Sequence, residues 1–336
     1  MNDIEASPVT SQLLATESEQ LLLARQGKRV PGLLLALLLG ALFVVISSLV
    51  GGLTTIAIVG KEAFGPAIEG MPEPSAVVSG IQLAVLLVLS YGPLYLFLAL
   101  WLSLFEGRPF WTLGFTRSRA TAKLARGFLL GLIFFSVAVG ILVSTLSVST
   151  ESGPPELQGA SAVGGILIVL VGWTIQGTGE EILCRGWLLQ VVGTRYRPWT
   201  GVAVSSLFFG LLHGANPHVN VVGLINIVLV GIFLSLYALR EGSIWGVSAW
   251  HAAWNWAQGN IFGLEVSGVP SKGGSLLNLK TTANELLTGG GFGPEGGLAV
   301  TAVLLTGVVY ILATGNPLRN SPATVDRVPA TQNPPT

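Results

Sequence analysis

The sequence predicts an all-α polytopic membrane protein, a bundle of about eight transmembrane helices with both termini in the cytoplasm. Composition carries the fold class: 51% of the 336 residues are hydrophobic and only 10% are charged, with a mean hydropathy of +0.69, which is the profile of a chain solvated by lipid. Segmentation carries the helix count, because long apolar runs alternate with short polar or proline-containing stretches. Charge placement carries the orientation, as set out below.

Residues 1–29 read as a mobile cytoplasmic tail with a short amphipathic helix around 11–26, lacking the basic start and short apolar core of a cleaved signal peptide. The first apolar run, 30–60, is long enough to cross about 30 Å of hydrocarbon. Further spans are expected at 78–104, 127–147, 161–193, 199–214, 219–239, 243–263 and 296–314. Residues 106–126 mix aromatics with cations, as expected of a segment lying at the membrane interface. A Gly- and Ser-rich segment, 264–295, reads as a flexible loop, and the tail at 316–336 as disordered.

With the N-terminus inside, the cytoplasmic segments hold Arg25, Lys28, Arg29, Arg108, Arg117, Arg119, Lys123, Arg126, Arg195, Arg197, Arg240, Arg319 and Arg327. The outside loops hold only Lys61, Lys272 and Lys280, and Arg185 is left inside the membrane. That asymmetry supports the eight-span orientation, in an integral protein expected in the plasma membrane. Seventeen basic residues balance seventeen acidic ones, which argues against nucleic acid as a partner. The single cysteine, Cys184, excludes an internal disulfide and a cysteine-based zinc cage and reads as a packing residue.

The segment GWTIQGTGEEILCRGWLLQ, 172–190, interrupts an apolar helix with Glu180, Glu181 and Arg185. Charges there are costly in lipid and ask for a functional explanation. Two other expected spans carry polar pairs: Phe209 with His213, and His251 with Asn255. Each pair, like Glu181 with Arg185, is spaced by four and shares a helix face. At about 1.5 Å per residue, Glu180, His213 and His251 lie roughly 22, 20 and 16 Å from the same membrane edge, so they can meet in one buried cavity. A carboxylate can take a proton from water, and imidazoles can bind a metal or stabilise an oxyanion, as an Asn can. Arg185 would hold Glu181 as an ion pair and leave Glu180 as the free base.

These motifs, EExxxR at Glu180–Arg185 running into Gly186, FxxxH at Phe209–His213 and HxxxN at His251–Asn255, resemble the CPBP intramembrane proteases. That family includes the type II CAAX prenyl endopeptidases and the bacteriocin self-immunity (Abi) proteins. The resemblance covers about 173–259, and the WTLGF segment at 111–115 is similar too. It implies that Glu180 activates the attacking water with Glu181 and Arg185 in support. His213, His251 and Asn255 then complete the site as metal ligands or oxyanion stabilisers. A divalent metal such as zinc, held by Glu180, His213 and His251, is the cofactor it implies. Nothing resembles HExxH, so a zincin site is not supported.

The reading that follows is an intramembrane endopeptidase acting on a membrane-anchored or lipidated peptide, prenylated CAAX termini included, with membrane lipids as its surroundings. Two other classes fit the same polar residues: a proton-coupled transporter, and a non-catalytic immunity or scaffold protein. Each residue also has a structural reading. Glu181 and Arg185 can simply fix helix packing, and an isolated His213 or His251 is more often an interhelical hydrogen-bonding group than a ligand. His218, beside Pro217, reads as a surface residue. Trp245, Trp250, Trp254 and Trp256 read as interfacial and packing groups. Gly177 and Gly179 read as points of close helix approach or of a kink beside Glu180.

Overall fold

The computed structural model describes residues 18–60, 74–282 and 284–315. The helices are α1 (Leu33–Val59), α2 (Ala76–Trp101), α3 (Ala120–Ser144), α4 (Val163–Glu181), α5 (Leu189–Arg195), α6 (Pro198–His213), α7 (Val221–Glu241), α8 (Trp245–Trp256) and α9 (Leu298–Thr314). Short π-helical turns extend α2 (Leu102–Glu106) and α8 (Ala257–Ile261), and a longer one, Ile182–Leu188, joins α4 to α5 in one rod. Local chemistry explains several boundaries. The Ser75 and Asn220 side chains accept the free N–H groups of Val78 and Gly223 at the starts of α2 and α7, and Pro198 opens α6 where its missing N–H costs nothing. Gly242, at φ +65°, ends α7 in the left-handed conformation that glycine adopts freely.

Among the described residues, five helical segments are long and apolar enough to cross a membrane: Leu33–Ile58, Ala76–Glu106, Ala120–Ser144, Gly159–Arg195 and Val221–Glu241. On length and composition the chain is an integral membrane protein. Helices also stand where the other three spans were expected, but α6 has 16 residues, α8 has 12 and α9 has 17, short of the roughly 20 needed to span. For α8 the reason is position. Residues 246–255 are all buried, so protein rather than lipid surrounds this helix and its length is not set by bilayer thickness. Glycines bring its neighbours to backbone contact: a Cβ on Gly127 or Gly131 of α3 would overlap the Gly246 or Trp250 carbonyl.

Consecutive connections gather at two ends of the bundle. At one end Ser18 bonds to the Leu239 carbonyl, Thr194 to that of Leu21 and Arg240 to Thr314. At the other end Val148–Thr150 pairs antiparallel with Leu279–Thr281, Val148 opposite Thr281, and Asn216 bonds to the Ser267 carbonyl. This small ribbon is a departure from all-α.

Three expectations change. The described part of the N-terminal tail is docked: Gln20 is fully buried and its amide donates to the Leu113 and Arg185 carbonyls. The remainder of that tail, and the one at 316–336, lie outside the described residues. The 106–126 segment is not simply interfacial, because its last residues begin α3 at Ala120 and Arg108 is buried. Arg108 donates to Glu106 and Gln190 at 2.7 Å each, while Glu106 also accepts from the Trp101 and Trp187 indoles. Burial holds the Arg108 guanidinium below its ordinary pKa, opposed by the Glu106 charge. Finally, 264–295, expected to be flexible, packs on the bundle as a cap. Its Phe292 is fully buried, and Glu295 accepts from the Trp254 indole and from Ser267.

Candidate active site

The site forms where α4 crosses α8 and α2, a crossing that small residues permit. A Cβ on Gly177 would come within 3.1 Å of the Ala252 nitrogen, and one on Gly179 within 2.8 Å of the Tyr91 ring. Close approach is therefore what these glycines provide. The departure from α-helical geometry comes later, at Ile182–Leu188, where hydrogen bonds run i→i+5. The depth estimate for Glu180 crosses these seven π-helical residues, so it fixes order along the rod better than distance.

Glu181 and Arg185 are both fully buried, and Arg185 Nη1 donates to Glu181 Oε1 at 2.8 Å. The same oxygen lies 2.9 Å from His251 Nδ1. An ionised carboxylate only accepts, so Nδ1 carries the proton and Nε2 is the atom left for chemistry. The Arg185 guanidinium stacks 4.4 Å from the centre of the Phe209 ring. That contact gives Phe209 of the FxxxH pair a role in holding the ion pair.

Glu180 faces a cavity of about 530 Å³. Its Oε1 accepts from the Tyr91 hydroxyl at 2.5 Å and from Gln176 Nε2 at 2.7 Å. Its Oε2 is buried without a hydrogen bond and lies 3.7 Å from His251 Nε2. Glu180 is thus anchored on one oxygen rather than wholly free. Asn255 does not hold a histidine: its Nδ2 donates to Gln176 Oε1 at 3.0 Å, so Gln176 links Asn255 to Glu180. His213 lines the same cavity. Its Nδ1 bonds the Phe209 carbonyl at 2.8 Å, which puts the proton on Nδ1 and leaves Nε2 as an acceptor.

All six sequence-derived residues, Glu180, Glu181, Arg185, His213, His251 and Asn255, therefore fall in one neighbourhood. Sequence reasoning missed Tyr91 and Gln176. Gln176 sits one turn before Glu180 and was legible as an amide inside an apolar run. Tyr91 lies on α2, where only the packing brings it to the site. Cys184 is fully buried, and Trp245 and Trp256 donate to the Thr116 and Ile166 carbonyls. His218 is exposed and packs against Gly291 of the cap.

The metal implied by the resemblance finds no cage. Among the described residues no group of three or more His, Cys, Asp or Glu side chains is arranged to hold an ion, and one oxygen of Glu180 is already committed to Tyr91 and Gln176. The donors do not fit a metal in this arrangement.

The cavity also has a side. It takes residues 44–52 of α1, 209–216 at the end of α6, and Val266, Ser267, Val269 and Glu295 of the cap. It therefore reaches toward the capped end, away from the docked N-terminal segment. Against known proteins, residues 162–257 match the family model described as Type II CAAX prenyl endopeptidase Rce1-like. No curated protein and no solved structure matches the chain.

Proposed function

Residues 162–257 are an Rce1-like domain of the type II CAAX prenyl endopeptidases, a protease family, and on that premise we propose that the chain is an intramembrane endopeptidase in which Glu180 activates water. The observation that carries this is the unsatisfied Glu180 Oε2 beside His251 Nε2 in a buried cavity. One water can bind both atoms. Its oxygen attacks the scissile carbonyl carbon while its proton passes to Glu180. The second N–H of the Asn255 amide stabilises the oxyanion. When the C–N bond breaks, the proton returns to the leaving amine, and the products are a carboxylate and a free amino terminus.

The supporting groups divide by task. Glu181 and Arg185 fix the His251 tautomer, Tyr91 and Gln176 fix the Glu180 rotamer, and His213 offers a second proton acceptor. The substrate is a membrane-associated peptide, a prenylated CAAX-type C-terminus being the class the family description names. It reaches the cavity from the lipid. Eight crossings with both termini cytoplasmic, in the plasma membrane, complete the reading, and the cavity then lies in the non-cytoplasmic half.

The test compares new peptide termini, by mass spectrometry, in membranes holding equal amounts of wild type or Glu180→Gln. Removing the base is expected to lower cleavage by about 100-fold or more. Identical profiles, in cells and with purified protein, would sink the protease reading. A chelator is expected to leave cleavage intact; loss restored by added zinc would show that Glu180, His213 and His251 regroup around a metal.

A further inference from the structure

Among the described residues lining the cavity, Glu295 is the one carboxylate besides Glu180, and it lies outside the family match, in the cap. It is only 5% exposed. Its Oε1 accepts from Trp254 Nε1 at 3.1 Å, and its Oε2 from the Ser267 N–H at 2.8 Å and the Ser267 hydroxyl at 2.7 Å. Ser267 adopts φ +49°, a left-handed conformation that a serine rarely takes. The strained residue thus aims both of its donors at this carboxylate.

What is missing is positive charge. Among the described residues no ion pair reaches Glu295, and no Lys or Arg lines the cavity. A carboxylate offers about four acceptor directions; three are used, and the open one is on Oε1. A buried anion without a counter-charge is costly. Beside it, Trp250 and Trp254 stack with ring centres 4.8 Å apart, and both line the cavity, as does Tyr91. A carboxylate with an open acceptor direction, in a cavity without a lysine or arginine, is chemistry that recognises an ammonium or guanidinium group through charge and hydrogen bonding together.

We propose that Glu295 forms a cation seat at the capped end of the cavity, so that the substrate is a membrane-associated peptide carrying a basic side chain or a free amino group near the scissile bond. The substrate class rests on the protease reading, whereas the seat is a property of the cavity and is tested without cleavage.

The experiment titrates purified full-length protein in neutral detergent with decylamine and with decanol, following the fluorescence of the tryptophans. Wild type is expected to bind the amine more tightly than the alcohol. Glu295→Gln, which keeps size and acceptor oxygen, is expected to weaken amine binding about tenfold or more while alcohol binding holds. Glu180→Gln is expected to retain the amine preference. Equal binding of amine and alcohol by wild type overturns the proposal, as does a preference that disappears with Glu180→Gln. If Glu295→Gln also loses the alcohol, its cavity has collapsed and Glu180→Gln decides. A surviving preference there leaves Glu295 as the only carboxylate among the described residues of the lining able to cause it. The new termini from the mass-spectrometric comparison supply a separate reading: Glu180-dependent cuts without nearby Lys, Arg or free amines would overturn the substrate class and leave proteolysis standing.

Discussion

At the residue scale, Glu181 accepts from Arg185 and His251 on the same oxygen, with both side chains of the ion pair fully buried. Removing one partner leaves the other charge in a low-dielectric interior, which is far more costly than the pair's net contribution. Arg185→Ala is therefore expected to lose about 3–5 kcal/mol of stability, read as a drop in thermal midpoint in detergent, together with loss of cleavage. A change below about 1 kcal/mol would mean that His251 alone satisfies Glu181. These charged residues were legible because each interrupts an apolar run. Their partners were less so: one helix cannot announce that its tyrosine, Tyr91, will meet a carboxylate 89 positions away.

At the element scale, α8 is central to the candidate site and the shortest of the helices expected to span. It carries His251 and Asn255, is sheathed by protein, and packs on α3 without intervening side chains at Gly127 and Gly131. Gly127→Ala must push the two backbones apart and is expected to cost about 1–3 kcal/mol as overpacking. Gly140→Ala, on the same helix with nothing within 4 Å of the added carbon, serves as the control and is expected to leave the unfolding midpoint unchanged or raise it. Equal behaviour of the two would show that the α3–α8 contact yields freely. Helix positions followed from apolar runs, but the π-helix at Ile182–Leu188 did not, since its apolar sequence has no mark that separates i→i+5 from i→i+4 bonding.

At the scale of the whole molecule, the proposed orientation rests on charge placement, and the contacts show which connections share an end. Tyr196 lies at the end of the docked N-terminal segment, while Lys280 is in the ribbon at the capped end. In a Cys184→Ser background, a membrane-impermeant thiol reagent added to intact cells is expected to label Lys280→Cys and spare Tyr196→Cys. The opposite pattern would invert the orientation and place the cavity in the cytoplasmic half. Arg108 also qualifies the charge argument, because a buried guanidinium paired with Glu106 and Gln190 does not contribute to the surface bias as Arg117 or Arg197 do.

By itself, the sequence determined the membrane character, the approximate helix positions and six polar residues that the fold brings into one neighbourhood. Each of these is local: lipid solvation demands unbroken apolar runs, and any charge that breaks one stands out. Only the tertiary structure decided that Gln176 and Tyr91 anchor Glu180, that Asn255 turns to Gln176, that the N-terminal segment is docked, and that the cap delivers Glu295 into the cavity. Those outcomes depend on which faces meet across helices distant in the chain, and on polar groups finding partners wherever packing leaves them. Spacing along one helix encodes neither.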